Sequence, residues 1–275
     1  MSSRNAQIIS GTYSRAILIA MIAWLCLWPG LSTCAQQLRV AAASDLQFAM
    51  TDLAIRYETK TKLTLAITYG SSGNFFAQIE NGAPFDLFFS ADISYPQKLI
   101  EARFADRTTL YSYASGRLVL WAPPRSHLNL AEKGIPALLD PRVQKIAIAN
   151  PDHAPYGKAA VAALQKAAIY NQVKSKLVFG ENISQAAQFV QSGNAQVGIL
   201  ALSLSIAPAM QRGERFLIPA DAHPPLEQAV VVLSSSRNKA AAASFLDFVK
   251  CPEGKAILVK YGFTTAQTQP GEKNP

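Results

Sequence analysis

Cysteine, histidine and charge are in short supply in this chain, and each shortage removes a class of function. Three cysteines stand among 275 residues. Cys26 and Cys34 lie near the N-terminus and leave Cys251 by itself, so neither a disulfide framework nor a CxxC thiolate site is available. The histidines His127, His153 and His223 are isolated, which argues against a His/Cys metal centre. No HExxH pair and no GxxxxGKS/T phosphate loop occurs. The run Gly70-Ser71-Ser72-Gly73 is not a nucleophile elbow, because Asn74 stands where that pattern needs glycine. Asp86 and Asp92 flank a strand end as an acid pair, but with no partnered base or metal ligand they are expected to serve turns and caps. Lys and Arg are scattered rather than massed beside aromatics, so nucleic acid is not an expected partner. The charged share is 16% against 49% hydrophobic, which suits a globular chain and excludes a disordered one. No repeat of fixed period is present.

Acidic residues are missing altogether before Asp45, while Arg4 and Arg15 carry positive charge. An apolar run occupies residues 16–28, succeeded by Pro29-Gly30 and the small residues Ser32, Thr33, Cys34 and Ala35. That order is the one of a secretory signal peptide. The run has 13 residues, whereas a membrane-crossing helix needs roughly 20. Residues 1–35 are therefore expected to direct export and be removed. Thr33-Cys34-Ala35 suits cleavage before Gln36. Leu31-Ser-Thr-Cys34 also fits a lipoprotein box that would leave Cys34 lipidated, but Thr33 is unusual before a lipidated cysteine, which favours the soluble form. The formal charge of +8 falls to +6 once Arg4 and Arg15 are gone, a modest field that attracts anions.

The mature chain alternates between strand and helix patterns. Residues 38–42 read as a strand, and Leu46, Ala49, Met50, Leu53, Ala54 and Tyr57 obey helical spacing. Strands at 63–69, 85–89 and 118–121 alternate with helices at 75–82 and 96–104. Strands at 145–149, 176–179 and 197–201 alternate with helices at 158–168 and 184–191. A strand at 228–233 precedes helices at 239–249 and 253–261. Such alternation predicts an α/β protein with parallel sheets covered by helices. The proline-containing segments 122–125 and 221–225 are read as crossings between two lobes. Lobe I then holds 37–121 plus 226–265, and lobe II holds 122–225, with a single doubly wound sheet as the alternative. Residues 266–275 are expected to form a disordered tail.

Open α/β sheets bind ligands beyond the C-terminal ends of their strands, where helix N-termini point. Val40-Ala-Ala-Ala-Ser44-Asp45 and Tyr69-Gly-Ser71-Ser72-Gly-Asn74 are two such junctions. Small residues there leave backbone N–H groups and the hydroxyls of Ser44, Ser71 and Ser72 available to an anion. A fully deprotonated oxyanion offers acceptors alone, so neutral donors match it without a full positive charge. A protonated oxyanion such as hydrogen phosphate also needs a carboxylate, which Asp45 would supply. The plainer expectation is that Asp45 caps the helix and faces solvent.

These junctions resemble the periplasmic molybdate-binding proteins of ABC importers. So do residues 79–92 (Ile-Glu-Asn-Gly-Ala-Pro-Phe-Asp-Leu-Phe-Phe-Ser-Ala-Asp), Asn150-Pro-Asp-His-Ala-Pro-Tyr156-Gly157, Glu181-Asn182-Ile183, Gly193-Asn194-Ala-Gln-Val-Gly198 and Lys260-Tyr-Gly-Phe263. The likeness spans residues 38–263 with the motifs in the family's order. It implies a two-lobed, hinged type II periplasmic binding fold that holds molybdate or tungstate between its lobes. It places the ligand hydroxyls at Ser44 and Ser71, with Ser72 adjacent, and backbone donors at Tyr156 and Ile183. One departure stands out. Ala201 occupies the position where many members carry a ligand-contacting tyrosine, so a donor is lost unless Tyr156 or Ser203 compensates.

The resulting expectation is a monomeric, non-catalytic binding protein in the periplasm. It would need no cofactor and no metal cation, and would close about 121–123 and 220–226 to deliver its ion to a membrane permease. Sulfate, thiosulfate or phosphate are the alternative ligands. An exported α/β enzyme using Asp45, Asp86 or Asp92 as base is the alternative from another class.

Overall fold

The computed structural model describes residues 37–124 and 126–265. The expected signal segment with Cys34 and the expected tail 266–275 lie outside the described residues. Strand β1 (Gln37–Ala43) opens with exposed Gln37 and Arg39 alternating with buried Leu38 and Val40, then becomes wholly buried. A single 3₁₀ turn at Ser44–Leu46 leads into helix α1 (Gln47–Thr61). Its Ala49, Met50, Leu53, Ala54 and Tyr57 recur every three to four residues and make one buried face. Lys62, at φ 63°, ends it in the left-handed region.

The chain continues through β2 (Thr64–Gly70), α2 (Ser72–Glu80), β3 (Leu87–Ser90), α3 (Ser94–Glu101) and β4 (Tyr111–Gly116). It then runs through β5 (Leu118–Ala122), β6 (Ile146–Ala149), α4 (Pro155–Lys166), β7 (Leu177–Gly180), α5 (Ile183–Gln191), β8 (Val197–Ala201), α6 (Leu202–Ser205) and β9 (Glu214–Leu217). Strand β10 (Leu226–Val232) and helices α7 (Lys239–Lys250) and α8 (Pro252–Lys260) complete it.

Among the described residues, ten strands form two five-stranded sheets, ordered β2-β1-β3-β10-β4 and β7-β6-β8-β5-β9. In each sheet four strands run one way and one runs against them, so both are mixed. In the first, β10 runs antiparallel to β3 and β4; in the second, β5 runs antiparallel to β8 and β9. The reversed strand in each sheet is the one that has just arrived from the other.

One crossing is not where the prolines suggest. Leu118–Ala122, assigned from sequence to lobe I, pairs in the second sheet. The chain therefore changes sheets at Arg117, between β4 and β5, and not at 121–123. Pro123 and Pro124 end a strand already in the second sheet. The return crossing lies at 218–225, between β9 and β10.

Helices cover the sheets on both faces. Met50, Leu53, Tyr57, Phe245 and Leu258 fill one side of the first sheet; Phe75, Ile79, Phe88, Tyr95 and Leu99 fill the other. Each such side chain contributes roughly 2 kcal/mol by leaving water. The second core joins Leu118, Leu120, Ile146 and Ile148 to Leu164 and Val190, and reaches Ala43 and Ala91 of the first sheet. Apolar packing thus runs from one lobe to the other beside the strand ends.

Candidate functional site

Four strands deliver their C-terminal ends to one place. After β1 comes the Ser44–Leu46 turn, after β2 the start of α2, after β6 the start of α4, and after β7 the start of α5. Two of these junctions belong to each sheet, so the site lies at the switch between them. The first-turn N–H groups of α2, α4 and α5 have no partner within their own helices, and the helix dipoles add positive potential there.

A small cavity of about 10 Å³ opens at this point. Ala43, Ser44, Asp45, Gly70, Ser71 and Ser72 line it from the first sheet's side, together with Ala91, and Ala154, Pro155, Tyr156 and Ile183 line it from the second. Every site residue expected from the sequence (Ser44, Ser71, Ser72, Tyr156 and Ile183) is in this wall, each at most 4% exposed. Among the described residues, no Lys or Arg is in it.

The serines are held for something other than capping. Ser71 occupies the N-cap of α2 with extended backbone, yet makes no side-chain cap bond. Its Oγ lies 2.8 Å from His153 Nδ1 instead. Ser72 Oγ accepts the Ala91 N–H at 2.9 Å, which leaves its own hydrogen to donate. At the other helix start, Ser184 Oγ donates to the Ser44 carbonyl at 3.0 Å and to Gln47 Oε1 at 3.1 Å. Asn182, not a serine, caps α5 by accepting the Gln185 N–H.

Two glycines permit these approaches. A Cβ on Gly73 would fall 2.6 Å from the His153 carbonyl oxygen, which that residue's N–H reaches at 2.9 Å across the lobes. A Cβ on Gly157 would fall 2.2 Å from the Ala149 carbonyl oxygen, so only glycine lets α4 start against the end of β6.

Asp45 departs from expectation. It does not face solvent; it is 1% exposed and lines the cavity. The 3₁₀ turn directs it inward, where its Oδ2 accepts from Gln228 Nε2 at 2.6 Å and from the Tyr156 hydroxyl at 3.0 Å. Gln228 Oε1 in turn accepts from the Tyr113 hydroxyl at 2.7 Å. Among the described residues, Oδ1 finds no hydrogen-bond partner. Burial pushes this carboxyl up to about 6, against the pull of the Gln228 and Tyr156 bonds and of the neighbouring backbone N–H groups of Asp45 and Leu46. Burial also raises both tyrosine hydroxyls well above their ordinary range.

The hydroxyls expected to compensate for Ala201 are both engaged in bonds to Asp45. Tyr156 gives its hydroxyl to Asp45, and Ser203 Oγ donates to the Asp45 carbonyl at 2.7 Å. Neither hydroxyl is left for a ligand, and Ala201 is not in the cavity wall. Asp86 and Asp92 are structural: Asp86 holds the Arg39 N–H and the Ser236 hydroxyl, and Asp92 holds the Ser94 N–H. Gln228, Ser184 and His153 are contributors that sequence patterns do not single out.

Two lobes with two crossings, and helix starts from both converging on one small cavity, are the arrangement of a two-lobed solute-binding protein. A model of bacterial extracellular solute-binding proteins matches residues 38–264, and the chain belongs to that family. It is 37% identical over 235 residues to the molybdate-binding protein ModA of Rhodobacter capsulatus, covering 86% of this chain and 91% of that one. It is 36% identical over 239 residues to ModA of Azotobacter vinelandii, covering 85% and 93%. The solved periplasmic molybdate-binding protein of Azotobacter vinelandii superposes with a TM-score of 0.79 at 33% identity, over 84% of this chain and 100% of that one. Such proteins bind solutes and are not enzymes, so the Ser71–His153 contact is a tie between lobes rather than a nucleophile and its base.

Proposed function

We propose that this chain captures molybdate or tungstate in the periplasm and delivers it to an inner-membrane ABC importer. The observation that carries this reading is the donor set. Three serines and the helix starts of both lobes surround one cavity whose described wall holds no Lys or Arg. Neutral O–H and N–H donors suit a dianion that presents acceptors only. In this reading the Ser44 and Ser71 hydroxyls bind from one lobe, with Ser72 beside them, and the Tyr156 and Ile183 N–H groups bind from the other. The names and identities of the relatives support the choice of ion. The ion is cargo, and no resident cofactor is required. The chain is exported, matures at Gln36 and works as a monomer.

Calorimetric titration of the mature protein tests the reading. Tight one-to-one binding of molybdate and tungstate is expected, with weaker binding of sulfate, thiosulfate and phosphate. Absence of binding by both of the first two overturns it. The intact mass of the exported protein separates a Gln36 terminus from a lipidated Cys34.

A further inference from the structure

The donor set of the cavity leaves one group unexplained: a carboxyl inside a site for anions. Asp45 is in the cavity wall, 1% exposed. The groups around it are neutral in charge. Gln228 on β10 and Tyr156 on α4 bond its side chain, Tyr113 on β4 stands behind Gln228, and Ser203 on α6 bonds its carbonyl. From α5, Ser184 reaches the neighbouring Ser44. Among the described residues, no Lys, Arg or His is hydrogen-bonded to it. A carboxylate and a dianion placed in one small cavity without a cation repel each other strongly, because little water separates them.

The two carboxyl oxygens are not equivalent. Oδ2 already accepts two side-chain hydrogen bonds, whereas Oδ1 has no hydrogen-bond partner and feels the backbone N–H groups of Asp45 and Leu46 only as near neighbours. A proton therefore belongs on Oδ1, where it disturbs neither bond and makes an unused oxygen a donor. We propose that Asp45 enters the oxyanion site as a neutral carboxylic acid whose Oδ1–H donates to the bound ion, so that each ion captured takes up one proton. This rests on the oxyanion reading of the cavity. The balance is simple: a proton moves from solvent to Oδ1, and no other bond is made or broken. That the free carboxyl already titrates near 6 makes the uptake inexpensive at neutral pH.

The experiment is calorimetry of wild-type protein with sodium molybdate in buffers of different ionisation enthalpy, repeated between about pH 6.5 and 8.5. The expected result is uptake of about one proton per ion and an affinity that falls about tenfold per pH unit. Asp45→Asn keeps an acceptor for Gln228 and Tyr156 and places an N–H donor at the Oδ1 position. It is expected to bind with no proton uptake and no pH slope. That control also separates Asp45 from His153, which touches the site through Ser71. Molybdate binding by the wild type without buffer-dependent heat overturns the proposal and leaves the oxyanion reading standing. An unchanged slope in Asp45→Asn overturns it as well. No molybdate or tungstate binding at any pH overturns both. Wild-type proton uptake is measurable even if the variant fails to fold.

Discussion

At the scale of single residues, Asp45 is costly to the folded chain and a serine decides affinity. A carboxyl raised from 3.8 to about 6 on folding destabilises the protein progressively as pH rises through that window. Below pH 4 both states carry the proton and the penalty vanishes. Asp45→Asn is therefore expected to raise stability at pH 7 by up to about 3 kcal/mol, with the gain lost by about pH 4; thermal denaturation at the two pH values reads this directly. Ser71→Ala removes a hydroxyl donor to a charged ligand and is expected to weaken molybdate binding about 10- to 100-fold, with little change in melting temperature. The serines are legible in the sequence because small polar residues after an apolar strand announce an exposed helix start. Asp45 misleads for the same reason: an acid in a first turn usually caps. Its inward turn is set by Gln228, 183 residues away, and no local pattern reveals that.

Among elements, what matters is how closely two backbones approach. Gly73 and His153 meet across the lobes with no room for a methyl group, so Gly73→Ala is expected to weaken ion binding at least tenfold by opposing closure. Its unfolding midpoint without ligand should stay near wild type. Gly157→Ala acts within one lobe, driving α4 off β6, and should instead lower the melting temperature of the unliganded protein. Comparing the two variants by calorimetry and thermal scan separates closure from folding. Most long helices and buried strands are readable from periodicity. Strands β4 and β9 escape it, since Tyr-Ser-Tyr-Ala-Ser-Gly and Glu-Arg-Phe-Leu are partly exposed and lack a clear apolar alternation. The first crossing is hidden because prolines advertise strand ends, whereas a single arginine between two paired strands advertises nothing.

For the molecule as a whole, charge acts on encounter and neutral donors act on retention. The formal charge of +6 beyond residue 35 draws anions from a distance, while the described cavity wall carries no cation. Added salt is thus expected to slow association of molybdate and leave its dissociation rate nearly unchanged, which stopped-flow fluorescence can follow. The lobes also touch through Gly73 and His153, Ser184 and Ser44, and Tyr156 and Asp45, so occupancy and closure are coupled.

The brevity of the Arg117 link has a mechanical consequence. Beside it, Ser115 and Thr264 exchange backbone bonds at 2.7 and 3.0 Å, which fixes the first-lobe end of the joint. One residue on one side and the 218–225 connection on the other favour a pivot of the halves, like a jaw. A small rotation imposed by a docking partner is then expected to withdraw the α4 and α5 N–H groups together, so that the cargo leaves in one stroke rather than bond by bond.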